Sequence, residues 1–262
     1  MPSTSKKVAT SPSRRTKSPP LAKQVEAAVA ELKRLANKKT LVGMTRFAIP
    51  NENAFGVPVG KIRALGKELK KNLAGGRGEP NHGAHELAAA LWPTGWYETR
   101  MLCSFLDDPA LVTPAQMDAW CSDFDSWAIC DTLCFHLFDR TPHAFRKVRQ
   151  WSDKQREFVK RGAFALLASI ALHDKATDDG PFFECLPLIE RAANDGRNFV
   201  KKGVSWALRG VGRRSAALHA ESVALARRLA DSTNPTERWV GKEVLRDITK
   251  SALMRKIAAK HG

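Results

Sequence analysis

One short pattern recurs along the chain and constrains its fold more than any other feature. An aromatic residue followed by valine, with one or two basic residues in the next two positions, begins at Phe158, at Phe199 and at Trp239. These aromatics lie 41 and 40 residues apart, and fainter copies begin one and two 31-residue steps earlier, at Trp127 and Trp96. Helix pairs that recur every ~30–45 residues are typical of HEAT or armadillo α-solenoids. The sequence therefore predicts an all-α solenoid of HEAT-like repeats, with a plain helical bundle as the alternative.

The intervals between the aromatics have the composition and spacing of helices. Residues 21–36 carry apolar side chains at i, i+3 and i+4, and Pro58 is expected in the first turn before a helix at 61–73. Threonine, serine, asparagine and proline residues at 113–114, 152 and 234–235 are further helix-start signals. No window alternates with period two between hairpin turns, so no sheet is predicted.

The first twenty residues differ in composition from the rest. They hold five basic residues and no acid among many Ser, Thr and Pro residues. Such a segment buries too little surface to offset the entropy of ordering, which predicts a disordered basic arm at 1–20. It serves either as a solubilising tail or as an additional contact to phosphates. Residues 21–262 are predicted to form a single HEAT-like repeat domain.

The charge balance favours a polyanionic partner. The formal net charge is +16, of which the arm carries +5, so the body holds +11. An excess of this size points to nucleic acid. The five cysteines lack zinc-site spacing, and the longest apolar run has ten residues, too few to cross a bilayer. We therefore expect a cytoplasmic protein in a reducing compartment, associated with the nucleoid through DNA and not with a membrane.

Equivalent positions of the repeats carry mostly cations. Stacked repeats place such positions along one face of a solenoid, commonly the concave one. Together they predict a basic concave face that binds a phosphate backbone. The cations two to four residues after the aromatics are Arg100, Lys160, Arg161, Lys201, Lys202 and Lys242.

One repeat carries a carboxylate, Asp131, in place of a cation. A carboxylate inside a cationic row repels phosphates, but it suits chemistry on a sugar whose transition state is cationic. Trp127 lies one helical turn before Asp131, and Trp206 lies four residues after Lys202. Both tryptophans are candidates to contact a deoxyribose or a cationic base, and core packing is the alternative for each.

At these residues the sequence resembles the DNA alkylation repair enzyme family, the AlkD-like HEAT-repeat DNA glycosylases. The resemblance rests on the pair Trp127 and Asp131, on the helices at 158–161 and 199–209, and on the segment 53–58 with Arg63. It covers roughly residues 25–250, and the helix at 199–209 is its most specific motif.

The resemblance implies a monomeric, cofactor-free, monofunctional DNA glycosylase. Such an enzyme hydrolyses the N-glycosidic bond of cationic alkylpurines, such as 7-alkylguanine and 3-alkyladenine, in duplex DNA. By motif position, Asp131 would stabilise the oxocarbenium sugar and orient water, and Trp127 and Trp206 would contact the lesion's deoxyribose. Arg161 would hold the adjacent phosphate, and Arg209 belongs to the same DNA-binding surface.

Two other functions remain open at this stage. A non-catalytic HEAT-repeat protein that binds branched or damaged DNA would share the cationic track but would not need Asp131. A protein-binding scaffold is the most common use of solenoids, although the excess of Lys and Arg at the repeat positions counts against it.

Overall fold

The computed structural model describes residues 19–76 and 78–250, and these form α-helices, short 3-10 turns and no strand. None of these helices is long and apolar enough to cross a lipid bilayer. The predicted arm lies outside the described residues except for 19 and 20, as does the end of the predicted domain, 251–262. The helices are α1 (Leu21–Arg34), α2 (Lys38–Met44), α3 (Val59–Asn72), α4 (His82–Leu91), α5 (Tyr97–Leu106), α6 (Pro114–Ser122), α7 (Trp127–His136), α8 (Ala144–Trp151), α9 (Glu157–His173), α10 (Gly180–Ala192), α11 (Asn198–Val211), α12 (Ala216–Ala230) and α13 (Pro235–Ile248).

Alternate helices stack into rows. The helices α3, α5, α7, α9, α11 and α13 form one row, in which each packs against the next, and α8, α10 and α12 form a second. The aromatics of the sequence repeat lie at equivalent places in the first row, at or near the start of α5, α7, α9, α11 and α13. The all-helical prediction is confirmed, and the repeat in sequence is a repeat in structure.

Helix α9 lies at the centre of the fold. Its residues from Arg161 to Ala171 are all buried. Its contact with α11 is close because small residues face each other, so that a Cβ at Gly210 would lie 3.3 Å from Ala168 Cα. Nearer the start of α9, a Cβ at Gly203 of α11 would lie 3.5 Å from Arg161 Cγ, and one at Gly162 would lie 3.7 Å from Cys130 Sγ of α7. The candidate site lies here, where α7, α9 and α11 meet.

Several helix starts follow the predicted signals and others do not. Thr113 accepts a hydrogen bond from the Gln116 amide at 3.1 Å, and Asn234 accepts one from Thr236 at 2.8 Å. Ser152 lies instead at the end of α8, where its hydroxyl donates to the Arg149 carbonyl. Pro58 directly precedes α3, where its carbonyl accepts hydrogen bonds from the Lys61 and Ile62 amides, so the first turn starts at the predicted place.

The close contact between α12 and α13 at Gly241 predicts that one added methyl group lowers the stability of the fold. A Cβ at Gly241 would lie 2.8 Å from Ala230 Cα and even closer to backbone atoms of α12. We expect Gly241→Ala to lower the free energy of unfolding by ~1–3 kcal/mol, because neither backbone can move away independently. Urea unfolding measures this. Gly60→Ala is the control, since a Cβ there meets nothing within 4 Å, and equal losses in the two variants would contradict the explanation.

Candidate nucleic-acid interface

Helix α7 positions the central carboxylate. Ser126 precedes it in an extended conformation, is almost fully buried, and its hydroxyl oxygen faces the Ile129 amide at 3.5 Å. Trp127 is therefore the first residue of the helix, and Asp131 follows one turn later on the side of α9. The start of α7 thus fixes where both side chains leave the helix.

Asp131 is held by an arginine from the next helix of the row. The Arg161 guanidinium donates from Nε to Oδ1 at 2.8 Å and from Nη2 to Oδ2 at 2.7 Å. Its remaining nitrogen, Nη1, donates to the Phe199 carbonyl at 2.7 Å. The Asp131 side chain is 19% exposed and that of Arg161 only 8%. One arginine thus links α7, α9 and α11 and fixes the carboxylate by two parallel bonds.

Burial and pairing act in opposite directions on these two charges. Burial raises the pKa of Asp131 above its ordinary value, while the charge and hydrogen bonds of Arg161 work to lower it. Burial also opposes the charge of Arg161, but Asp131 outweighs this effect and the pKa of the arginine is raised. The carboxylate therefore depends on the arginine to remain ionised, and the largely buried arginine depends on the carboxylate as its counter-charge.

Asp131 lines a cleft of about 520 Å³, which we call the Asp131 cleft. Trp206 of α11 lines the same cleft. Lys175, Arg209 and Arg213 also line it, and Arg213 is paired with Asp247. The carboxylate and one of the two predicted tryptophans therefore meet in a space that is open to a ligand.

Trp127 and Arg161 line an adjoining cleft of about 420 Å³, which we call the Trp127 cleft. The Trp127 indole donates to the Phe47 carbonyl at 2.7 Å, so it is fixed against the turn after α2. Lys202 of α11 lines the same cleft and is exposed. The four residues predicted to converge on one site are thus divided between two clefts, joined by the Asp131–Arg161 ion pair.

Arg161 is engaged within the protein. The sequence predicts that it holds a phosphate beside the lesion, and in the structure its three nitrogens donate to Asp131 and to the Phe199 carbonyl. The packing of α7 against α9 brings the Asp131 carboxylate within reach of the arginine, and a largely buried charged side chain pairs with the nearest counter-charge.

The other predicted cations fall into two groups. Arg100 contacts Asp125 at 3.6 Å, and Lys160 contacts Asp195 at 3.1 Å. Lys202 and Lys242 are exposed. Carboxylates from neighbouring loops therefore occupy part of the predicted cationic track.

The other two cations of α11 are partly engaged. Arg209 donates to the Ser205 carbonyl at 3.2 Å and lies 4.0 Å from Asp247. The Lys201 ammonium lies 5.0 Å from the centre of the Trp239 ring, at cation–π distance. Both lie in the row of α11 and α13, beside the exposed Lys202 and Lys242.

The ion cluster around Lys160 predicts an acid-sensitive contribution to stability. Asp195 is hydrogen-bonded by Arg197 at 2.6 Å and by Lys160, and these bonds, Arg197 first, hold its pKa well below the ordinary value. A lowered folded-state pKa stabilises the fold above the ordinary carboxylate pKa of ~4 and ceases to do so as the pH falls below it. Thermal melts across this range are expected to show a smaller acid-induced loss for Asp195→Asn than for wild type. An identical pH dependence would contradict the assignment.

The turn after α2 is part of the site, and no sequence signal pointed to it. Thr45–Phe47 forms a 3-10 turn that ends at Ala48 in the left-handed region, with φ 53°. The Phe47 side chain is 64% exposed, and Arg46 lies beside it in the Trp127 cleft. Neither residue belongs to a repeat, so the repeat spacing could not find them.

Comparison with known proteins identifies the family. The sequence model of the family described as DNA alkylation repair enzyme matches residues 28–251. The chain belongs to the DNA alkylation repair enzyme family. The matched range contains both clefts and every site residue predicted from the sequence. No curated protein matches the chain.

A solved structure shares the fold. It is described as "a new family of proteins related to the HEAT-like repeat DNA glycosylases with affinity for branched DNA structures". It superposes with a TM-score of 0.65 at 17% sequence identity, covering 85% of this chain and 94% of that one. The DNA alkylation repair family member described here therefore has the HEAT-like repeat fold, as predicted.

Proposed function

We propose that the protein is a DNA repair glycosylase that hydrolyses the N-glycosidic bond of cationic alkylpurines, such as 7-alkylguanine and 3-alkyladenine, in duplex DNA. One observation carries the proposal: a largely buried, arginine-oriented carboxylate lines an open cleft beside a tryptophan in a strongly basic protein. For phosphate binding alone, a carboxylate at that place is unfavourable. It is favourable where positive charge develops during a reaction.

The chemistry needs little from the protein. In a 7-alkylguanine the base is already cationic, so no acid has to protonate the leaving group. As the C1′–N9 bond breaks, its electron pair neutralises the base and positive charge develops on the deoxyribose. The Asp131 carboxylate stabilises that charge and directs a water molecule to C1′, and it accepts the proton that this water loses. Trp206 forms the wall against which the sugar lies.

Arg161 has a different part in this proposal from the one that the sequence suggested. It is a positioning residue that keeps Asp131 ionised and holds its two oxygens in a fixed orientation. The phosphate contacts fall instead to exposed cations of the same row, foremost Lys202 and Lys242. Arg46, from the turn after α2, adds positive charge to the lining of the Trp127 cleft.

The division between paired and exposed cations gives a direct prediction. Lys202→Gln is expected to weaken binding to any duplex. It should also reduce the magnitude of the slope of log K against log salt by ~0.9. Lys160→Gln is its matched control, because the Lys160 charge already faces Asp195 at 3.1 Å. It should change DNA affinity by less than about twofold. Fluorescence anisotropy over a salt series measures both, and equal losses of affinity would contradict the division.

A non-catalytic protein that binds branched DNA is the second candidate. It is favoured by the neutralisation of Asp131 by Arg161, and by the description of the structural relative, whose stated property is affinity for branched DNA. The family assignment favours DNA over a protein ligand, so a protein scaffold comes third.

Base release separates the two leading candidates. Methylated duplex DNA is incubated with the protein, and free 7-methylguanine is measured by chromatography beside a protein-free control. Release above the spontaneous rate is the expected result. Release at the spontaneous rate, together with tighter binding to a four-way junction than to linear duplex, would favour the second candidate.

A further inference from the structure

A further basic cleft lies away from the Asp131 and Trp127 clefts, between α3 and the ends of α5 and α7. Its volume is about 250 Å³. Four cationic side chains line it, Arg63, Lys67, Lys70 and Arg140, together with Phe105 and His136. We call it the Arg63 cleft. Nothing in the mechanism above uses these residues.

The four cations come from two sides. Arg63, Lys67 and Lys70 lie at positions i, i+4 and i+7 of α3, so they share one face over a rise of about 10 Å. Arg140 comes from the 3-10 turn after α7. Bringing four like charges together costs free energy unless an anion lies between them.

The protein itself does not supply that anion. Within residues 19–76 and 78–250, none of the four cations forms an ion pair with a carboxylate, unlike Arg100 or Lys160 on the same row of helices.

The one acidic residue in the lining, Asp107, is used elsewhere. Its carboxylate is fully buried and accepts hydrogen bonds from His85 and Gln116, both at 2.8 Å. Only its backbone carbonyl serves the cleft, where it accepts from the Lys70 ammonium at 2.6 Å.

Two of the cations are also held in place. The Arg63 guanidinium lies 5.2 Å from the centre of the Phe105 ring and donates to His136 Nε2 at 3.0 Å. Burial, followed by the charges of Arg63 and Arg140, lowers the pKa of His136 to about 4. The imidazole is therefore neutral at pH 7 and can accept this bond. Lys70 is fixed by the Asp107 carbonyl, so two of the four donors are preorganised.

We propose that the Arg63 cleft binds a backbone phosphate of nucleic acid and is an anchoring point separate from the two clefts of the candidate site. The inference rests on the proposed function in one respect: the ligand is the same DNA molecule. Helix α7 carries both sites, since Asp131 and His136 are five residues apart, a rise of about 7.5 Å. We expect one DNA molecule to contact both.

The test removes two charges from the cleft and two from elsewhere. Arg63→Gln/Arg140→Gln changes two exposed side chains of the cleft. Arg146→Gln/Arg227→Gln is the matched control, with two exposed arginines on α8 and α12 of the other row. Fluorescence anisotropy with unmodified duplex over a salt series is the measurement. The cleft variant is expected to bind about tenfold more weakly, and its salt slope should be shallower by ~0.9 for each phosphate that the cleft no longer neutralises. The control is expected to change affinity by less than about twofold.

Thermal melts of both variants establish that they are folded, and the rate of 7-methylguanine release at saturating protein separates this proposal from the previous one. If the wild type releases base but the two double variants bind DNA equally well, the Arg63 cleft does not bind a DNA phosphate. If no base is released but the cleft variant alone binds weakly, the glycosylase proposal fails and the cleft stands.

Free inorganic phosphate is the alternative ligand for the Arg63 cleft, because it carries the same anionic group as the DNA backbone. If it binds there, replacing chloride by inorganic phosphate at constant ionic strength will raise the melting temperature of the wild type and not that of the cleft variant. If that shift occurs while the cleft variant keeps wild-type DNA affinity, the cleft serves free phosphate and the proposal is overturned.

Discussion

Asp131→Asn is expected to lower the single-turnover rate of 7-methylguanine release by about 10²–10³, the usual cost of losing one electrostatic interaction that forms fully only in the transition state. DNA affinity is expected to stay equal or to rise. The carboxylate repels phosphates in the ground state and attracts only the charge that develops at C1′. The rate is measured at saturating protein, and affinity is measured separately by anisotropy.

The structure adds a requirement to this experiment. Because Arg161 is buried and paired with Asp131, the asparagine variant leaves a buried cation without its counter-charge and is expected to be less stable. The double variant Asp131→Asn/Arg161→Met removes both charges and serves as the control for folding. It should recover stability without recovering base release. Wild-type release by either folded variant would show that Asp131 is not the catalytic group.

Arg161→Met is expected to destabilise the protein more than any other single change described here. It leaves the Asp131 carboxylate and the Phe199 carbonyl without their donor, and breaking a buried pair in this way costs ~3–5 kcal/mol. For a domain of this size the melting temperature should fall by ~6–20 °C. Scanning calorimetry or a circular dichroism melt measures the change.

Two comparisons make this prediction specific. Arg228→Met breaks an ion pair with Glu190 in which both side chains are about half exposed, so its cost should stay within ~1 kcal/mol. The double variant Asp131→Asn/Arg161→Met should melt above Arg161→Met, because no charge is then left buried alone. A double variant no more stable than Arg161→Met would contradict the buried-pair explanation.

The sequence repeat predicted the fold because residues that recur at a fixed spacing occupy equivalent places in stacked helix pairs. The aromatics of the repeat lie near the starts of α9, α11 and α13, successive helices of one row, in agreement with their spacing of 41 and 40 residues. They are Phe158, Phe199 and Trp239. The cations after them share that row for the same reason. Spacing along one helix also placed Asp131 one turn after Trp127.

Long-range pairing was not predictable from the same pattern. Lys160 contacts Asp195, and Arg161 contacts Asp131, thirty residues earlier in the chain. Such partners come from loops or from adjacent helices, and their distance depends on how closely the backbones approach. The pattern therefore identified which residues carry charge on this row, but not which of those charges the protein neutralises itself.

The contacts that form the Trp127 cleft and the Arg63 cleft were likewise not predictable from the repeat pattern. Phe47 comes from a turn outside the repeats, and Arg63 meets His136 across 73 residues of sequence. Only the packing of α3 beside α5 and α7, and of the turn after α2 against Trp127, brings these groups together.

In the proposed mechanism, a carboxylate assists the departure of a base that is already cationic and needs no proton to leave. The most direct test compares single-turnover release of 7-methylguanine with that of hypoxanthine, a neutral purine, from the same position of otherwise identical duplexes. We predict release of 7-methylguanine above the spontaneous rate and no release of hypoxanthine, because the protein supplies no acid to protonate a neutral leaving group. Equal release of both bases, or release of neither, would contradict the mechanism.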